Sequence, residues 1–335
     1  MIDGGALTVT VARDEGGFRV VVDAPPALML SRMLAGKQAA QAARLTALVF
    51  NTGAAAQEGA ARAAFGLSPS RGAARRIAIE TLRDHAARLC VAWPKALGHT
   101  PDMAALSTTR ALARDNGAAL GVAIFGRDGA PGRLADFETW MRSADTAPSR
   151  VLDHVWRRWD ARWGRADLPL WRVRPGMPIA EIDWTEGEIG GRPAETGLAA
   201  RVSDADLMRE IAARRGHGIS WRLAARLVDC ARLLRFLASG EDGKTPLALL
   251  PGVGAAEAAC GTILVHGAAE GGLVSRFERL SPIDFALHPG GLLDRVMASL
   301  PRSRKAPLHE VAALALESVD PCMPTRLVLP ARCDA

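Results

Sequence analysis

Thiol, carboxylate and imidazole groups are the side chains whose placement here could do chemistry. The stretch ESVDPCMPT, Glu317 to Thr325, sets Cys322 behind Asp320-Pro321, after an apolar, helix-like run. Proline stops the preceding helix, so the thiol falls at a structural boundary. A free thiol is only a few per cent ionised near neutrality, whereas a metal takes the thiolate. Three residues on stands Thr325, where a Cys-x-x-Cys chelate would have its second sulfur. One thiolate is not a metal site, because stable sites use three or four protein ligands or exogenous ones that fill the gap. A second group, Glu80, Asp84 and His85, shares one expected helix, with Glu80 beside Asp84 and near His85. Such a group can bind metal or relay protons, and it more often serves as an exposed charged face.

Other patterns carry less. Gly252-Val253-Gly254 follows a proline, and its third glycine comes late, so it reads as a turn and not as a dinucleotide loop. No Ser or Cys sits in a Gly-x-Ser-x-Gly elbow, so hydrolase chemistry has no signal. Cys90 and Cys230 lie in helical apolar patterns and read as core thiols. The five cysteines (90, 230, 260, 322 and 333) are odd in number and widely spaced, which suits a reduced cytoplasmic protein and not a disulfide framework.

The elements that must position these groups follow from periodicity. ALTVTVA and FRVVVDA alternate around RDEGG and read as a β-hairpin. From Ala27 to Leu97 the three-and-four spacing is helical, interrupted at FNTG and closed by Pro94 and Gly98. GRDGAPGR is a loop, SRVLDHVWRRWDARWG a helix, and PLWRVRPGMPIAEIDW short strands or loop. DADLMREIAARRGHGISWRLAARLVDCARLLRFLASG makes two helices broken at Gly216 and Gly218. GTILVHGAAEGGLVSRFERL makes a second hairpin turning at Gly271-Gly272, and HPGGLLDRVMASLP and PLHEVAALALES the last helices. The order is α+β and mainly α, without the alternation of a doubly wound sheet.

Composition sets the bounds. The chain has 335 residues, 49% hydrophobic and 23% charged, as in soluble globular proteins. The net charge of +6 rests on arginine, since Lys occurs only at 37, 95, 244 and 305. Trp156-Arg157-Arg158-Trp159 is the nearest approach to a nucleic-acid pattern, and a solvated helix face explains it, so no nucleic acid is expected. No run of eighteen apolar residues exists and the N-terminus has no secretion-signal pattern, so neither a membrane nor export is expected.

Taken together, the two ends resemble a known family. Ser318-Val319-Asp320-Pro321-Cys322 is similar to the C-terminal Ser-Phe-Asp-Pro-Cys-x-x-Cys motif of nickel–iron hydrogenase large subunits. The preceding segment, AACGTILVHGAAEGGLVSRFERLSPIDFALHPGGLLDRVMASLP, resembles the region before that motif, and ETGLAAR (Glu195–Arg201) its Gly-x-x-Ala-Arg element. LVFNTGAAAQEGAARAAFG resembles the stretch holding the first Cys-Gly-x-Cys and its histidine, and RIAIETLRDH the Glu-to-His helix after it. The ligand positions depart from that pattern. The N-terminal cysteines fall at Phe50 and Gly53, the histidine at Gln57, the second C-terminal cysteine at Thr325, and the C-terminal histidine at Val328. The arginine facing the cyanides falls at Cys260 or Gly261. With VFNTGAAAQ, AWPKALG and DPCMP, the pattern resembles the HupK/HoxV-type hydrogenase expression/formation proteins.

That resemblance implies a single, mainly α, α+β domain over 1–335, a helical bundle like the hydrogenase large subunit with small peripheral hairpins. Its parts would be a hairpin and helices at 1–98, a variable middle at 99–200, and C-terminal helices and hairpin at 201–335. It implies a cytoplasmic scaffold, not an enzyme, which holds or hands on a transient Fe(CN)2(CO) unit, without nickel. Cys322 would be the metal ligand; Gln57, Glu80, His85, Arg201, Asp320 and Pro321 would line the remnant pocket. The partners would be the hydrogenase large subunit and accessory maturation proteins. The other implied role is a metal-free docking protein or chaperone that mimics the large subunit, motivated by the loss of cysteine at Gly53.

Overall fold

Alanine-rich amphipathic runs make most of the secondary structure, as their helix propensity dictates. The computed structural model describes residues 5–14, 17–26, 28–50, 52–174, 179–240, 247–303 and 305–329. Cys333, part of the RDEGG turn and part of the RPGMP stretch lie outside them.

The N-terminal hairpin is β1 (Leu7–Asp14) and β2 (Gly17–Asp23). Helices α1 (Leu30–Leu34), α2 (Ala39–Val49), α3 (Ala54–Ala64), α4 (Ala73–Ala87) and α5 (Trp93–Ala96) follow. Pro94 was expected to close the helix that contains His85. Instead the chain passes through a π-turn at Arg88–Ala92 and continues with Pro94 in the first turn of α5. The physical reason is donor supply: proline has no N–H for the carbonyl of Cys90. That carbonyl accepts instead from the backbone N–H of Asp102, at 2.8 Å. Gly98, at φ +68°, makes the actual stop.

The middle carries α6 (Met103–Ser107), α7 (Leu112–Asp115), α8 (Ala118–Phe125), α9 (Leu134–Ser143) and α10 (Ala147–Arg158), then the two-residue strands β3 (Ile182–Asp183) and β4 (Glu188–Ile189). At the end of α10 Arg157 and Arg158 are exposed, as expected of a solvated helix face, while Trp156 and Trp159 pack inward: Arg215 lies over the Trp156 ring and donates to the carbonyls of Trp156 and Trp159.

Next come α11 (Leu198–Arg201), α12 (Asp206–Arg215) and α13 (Ile219–Ser239). Helix α13 is the central helix, with buried residues distributed from Ile219 to Leu237 and both apolar and charged side chains among them. A four-stranded antiparallel sheet then forms from β5 (Leu247–Leu250), β6 (Val253–Ala258), β7 (Gly261–Glu270) and β8 (Leu273–Leu280). The Gly252–Gly254 segment is therefore only partly a turn, because β6 begins at Val253. Its sequence, VGAAEA, has low β-propensity and hid the strand. Tertiary packing explains its small residues: a Cβ on Gly254 would lie 2.1 Å from the carbonyl oxygen of Ala60 on α3. This sheet and the small faces of α2 and α3 enclose a core separate from the main one around α13.

The chain ends with α14 (Pro282–Ala286), α15 (Leu292–Ala298), α16 (Leu308–Val319) and β9 (Thr325–Val328). Strand β9 pairs in parallel with β1, Leu7 opposite Thr325. The segment after Cys322 is thus fastened to the N-terminal hairpin, which brings residues 7–10 and 325–328 side by side.

Candidate functional site

Three loops converge where the sequence motifs pointed. The first is the start of α3, where Gly53 takes φ +66° and the carboxylate of Glu80, from α4, accepts the Ala55 N–H at 2.8 Å. That N–H has no partner inside its own helix, so a tertiary carboxylate caps it. The second is the exit from α16. Asp320 sits at φ +61°, a left-handed conformation that Asp tolerates better than most residues. It ends α16 and turns the chain into buried Pro321 and half-buried Cys322. The third is the turn between β6 and β7, which carries Cys260.

Cross-links fix these loops. The Thr52 hydroxyl donates to the Cys322 carbonyl at 3.3 Å. Arg88, presented by the π-turn, binds Glu317 through both carboxylate oxygens and donates to the Pro321 carbonyl at 3.1 Å. Cys260 and Cys322 are joined as a disulfide, their Cα atoms 6.4 Å apart and 62 residues apart in sequence. The widely spaced cysteines had been expected to be separate and reduced. Spacing along the chain says nothing about a pairing made by a hairpin turn meeting a C-terminal loop. Cys90 and Cys230 are buried, as expected. Burial, with Asp102 adding, pushes the Cys90 thiol up to about 12, and burial drives Cys230 well above the usual range.

The turn at Cys260 is held from behind. Its carbonyl accepts from the Leu198 N–H at 2.9 Å. Arg201 Nη1 donates to the carbonyls of Ala258 (2.7 Å) and Gly261 (3.0 Å). Gly261 has φ +143°, and a Cβ there would stand 2.6 Å from Pro282 Cγ and 2.9 Å from the Gly197 Cα, so only glycine fits.

A buried charge network backs this turn. Arg201 Nη2 donates to Asp229 Oδ2 at 2.7 Å. Asp229 is fully buried and also meets His85 Nε2 at 2.8 Å and Arg232 at 2.8 Å. His85 Nδ1 faces Arg226 Nη1 at 2.7 Å, and Arg226 pairs with Asp320. Since arginine can only donate, Nδ1 accepts and the proton of His85 sits on Nε2. Burial favours a neutral Asp229, but Arg201, Arg232 and the His85 bond outweigh it and hold the carboxyl well below its usual range. For His85 burial dominates and lowers the imidazole to about 4, against the opposing bond to Asp229.

That shift has a sign. The folded state keeps His85 neutral while the unfolded chain protonates near 6.5. This stabilisation is present above about pH 6.5 and is lost as pH falls toward 4, on the order of 3 kcal/mol in all. We expect the stability gap between wild type and His85→Gln, measured by urea unfolding, to shrink by that amount from pH 7 to pH 4. A gap independent of pH would contradict a neutral, buried His85. Asp84, raised to about 6 by burial first and then by Glu80 and Asp320, acts in the opposite direction over the same range. Using the variant difference isolates His85.

The structure therefore links Arg201, His85 and Asp320 through Asp229 and Arg226, and places Pro321 and Cys322 beside them in the chain. Gln57 lies apart from that network. It is buried on α3 and accepts from Arg279 Nε at 2.9 Å, while the Arg279 guanidinium lies 4.3 Å from the Phe50 ring centroid. Thr325 opens β9, and its hydroxyl donates to the Met323 carbonyl. Among the described residues no group of three His, Cys, Asp or Glu side chains is arranged to hold a metal ion.

Sequence reading missed Asp229, Arg226, Arg88 and the partnership of Cys260. A signal existed for two of these. Arg222, Arg226 and Asp229 recur at steps of four and three within an otherwise apolar helix, the mark of a buried polar stripe. Arg222 has a separate partner, the buried Glu195, bound through two hydrogen bonds of 2.9 and 2.8 Å.

With this geometry in place, comparison with known proteins gives a consistent result. No family model matches the chain. The chain is 34% identical over 316 residues to the hydrogenase expression/formation protein HupK of Rhodobacter capsulatus, covering 93% of this chain and 94% of that one. Its fold is similar to the Ni-Fe-Se hydrogenase of Desulfovibrio vulgaris Hildenborough, with TM-score 0.57 and 13% identity over 93% of this chain and 95% of that one. The Ni-Fe-Se hydrogenase of Desulfomicrobium baculatum matches with TM-score 0.54 and 11% identity over the same shares.

Proposed function

The chain belongs to the HupK family of hydrogenase expression/formation proteins, and we propose that within hydrogenase formation it is a cytoplasmic scaffold for an iron unit carrying cyanide and carbonyl ligands. The unit would be cargo, passed to the hydrogenase large subunit, with accessory maturation proteins as the other partners. The observation that carries this reading is Cys322. Its loop, anchored by Arg88, Asp320 and Thr52, faces the N-terminus of α3, where the large subunit has its other motif.

The donor set suits a passing cargo. Side chains at Phe50, Gly53 and Thr325 offer no sulfur, so four thiolates cannot close around nickel and iron. Arg201 lies behind the turn with its Nε buried and without a hydrogen-bond partner, a donor left over beside the loop. Cyanide and carbonyl fill the coordination positions the protein leaves open, and few protein ligands keep the iron exchangeable.

The test is anaerobic native mass spectrometry of tagged protein taken from cells making hydrogenase. We expect a mass increment for iron with its diatomic ligands, absent in Cys322→Ala, and little hydrogenase activity in cells carrying that variant. Unchanged maturation with Cys322→Ala would sink the thiolate role.

A second reading is a metal-free docking protein or chaperone that keeps the large-subunit shape. Gly53 favours it: at φ +66° a side chain is strained there, and a Cβ would press on Ala258 Cβ at 3.3 Å. Its signature in the same experiment is a bare chain in complex with a maturation partner.

A further inference from the structure

We infer that Cys260 and Cys322 together form a two-sulfur metal site, open as a dithiol and closed as a disulfide. The inference rests on the scaffold reading, because it supplies the second sulfur that Thr325 does not.

Position argues for it first. The two Cα atoms stand 6.4 Å apart, within the range that a disulfide spans. With the S–S bond broken, two metal–sulfur bonds of about 2.3 Å each bridge the same span after small side-chain rotations. Both backbones are fixed independently of the bond between them. The Leu198 N–H and Arg201 hold the turn at Cys260, and Thr52 and Arg88 hold the loop at Cys322. Breaking the disulfide therefore leaves two sulfurs facing each other.

Chemistry argues for it next. The Arg201 guanidinium, bound to the carbonyls on both sides of Cys260, puts positive charge beside a site that must hold thiolates. The other described cysteines, Cys90 and Cys230, are buried and do not compete. Two sulfurs with no third His, Cys, Asp or Glu ligand among the described residues hold poorly a bare ion that needs four protein ligands, and suit a metal that brings its own.

Opening the site is a two-electron reduction by thiol–disulfide exchange with a dithiol reductant. A reductant thiolate attacks Sγ of half-buried Cys322, the S–S bond breaks, and Cys260 leaves as a thiolate that takes a proton. The second reductant thiolate resolves the mixed disulfide and frees Cys322, which takes the second proton, and the reductant ends as a disulfide. Metal loading then displaces both protons. Disulfides inside cells are usually transient redox devices of this kind.

The test uses the full chain in a Cys333→Ser background, with two probes. Phenylarsine oxide reacts only where two thiols reach one atom, and releases one water. Cobalt(II), titrated anaerobically, reports thiolate ligation by its charge-transfer absorption. The reduced chain should take up one arsenical and one cobalt, and the oxidised chain neither. Cys260→Ser should lose the arsenical and bind cobalt about tenfold more weakly or worse. No arsenical uptake by the reduced chain, or binding unchanged by Cys260→Ser, overturns the site. A second readout covers poor folding of the variant: bound cobalt should slow alkylation of Cys260 and Cys322 alike, and protection of Cys322 alone overturns it. Hydrogenase maturation in cells separates the two readings. Loss with Cys322→Ala but not with Cys260→Ser leaves the scaffold standing and removes the two-sulfur site.

Discussion

Asp229→Ala is expected to lower the stability of the protein by about 3–5 kcal/mol, read as a fall in the urea midpoint at neutral pH. The figure follows from what the carboxylate leaves behind. Arg201, 9% exposed at its side chain, loses the carboxylate it pairs with, and His85, at 0%, loses the acceptor of its Nε2–H. Arg232 is better placed, because it is 30% exposed and retains Glu257 at 2.6 Å. Removing one member of a buried ionic group costs more than the group contributes, since the remaining charge stays buried without its partner. Asp229→Asn keeps the shape and one acceptor oxygen and should lose less. A loss below about 1 kcal/mol for Asp229→Ala would mean that the network is solvated and not a tertiary clamp. The variant also frees Arg201 from one side, so the Cys260 turn should become more mobile and its thiol should alkylate faster in reduced protein.

Gly261→Ala is the second large effect, about 2–4 kcal/mol. Two costs add there. An L-residue at φ +143° is strained by itself, and the new methyl would meet Pro282 Cγ at 2.6 Å and backbone Gly197 Cα at 2.9 Å. Pro282 could shift slightly at the start of α14, but Gly197 is bridged to Gly261 and its neighbour Leu198 donates to the Cys260 carbonyl, so that backbone cannot yield cheaply. The strain therefore falls on the β6–β7 turn. Air-oxidised Gly261→Ala protein should contain less of the Cys260–Cys322 bond than wild type, measured as the linked peptide by mass spectrometry. An unchanged urea midpoint together with an unchanged disulfide fraction would show that the turn relaxes freely.

These two positions also mark the limit of sequence reading. The N-terminal hairpin, the helices from 30 to 97, the Gly216–Gly218 break and the Gly271–Gly272 turn were legible because each repeats a local period or carries a turn residue. The order of motifs at the two ends was legible too, and it pointed to the large-subunit-like fold that the structural comparison bears out. Strand β6 was not, because alanine and glycine hide a strand whose side chains are small to admit α3.

By itself, then, the sequence determined helix content, the two hairpins and the placement of Cys322 just beyond a helix end. Tertiary structure alone decided that β9 joins β1, that Asp229 gathers Arg201, His85 and Arg232, and that the sulfur facing Cys322 is Cys260 and not the residue at 325. The physical reason lies in range. Propensity and periodicity act over a few residues, whereas a contact between positions 62 residues apart exists only once packing has closed the loop between them.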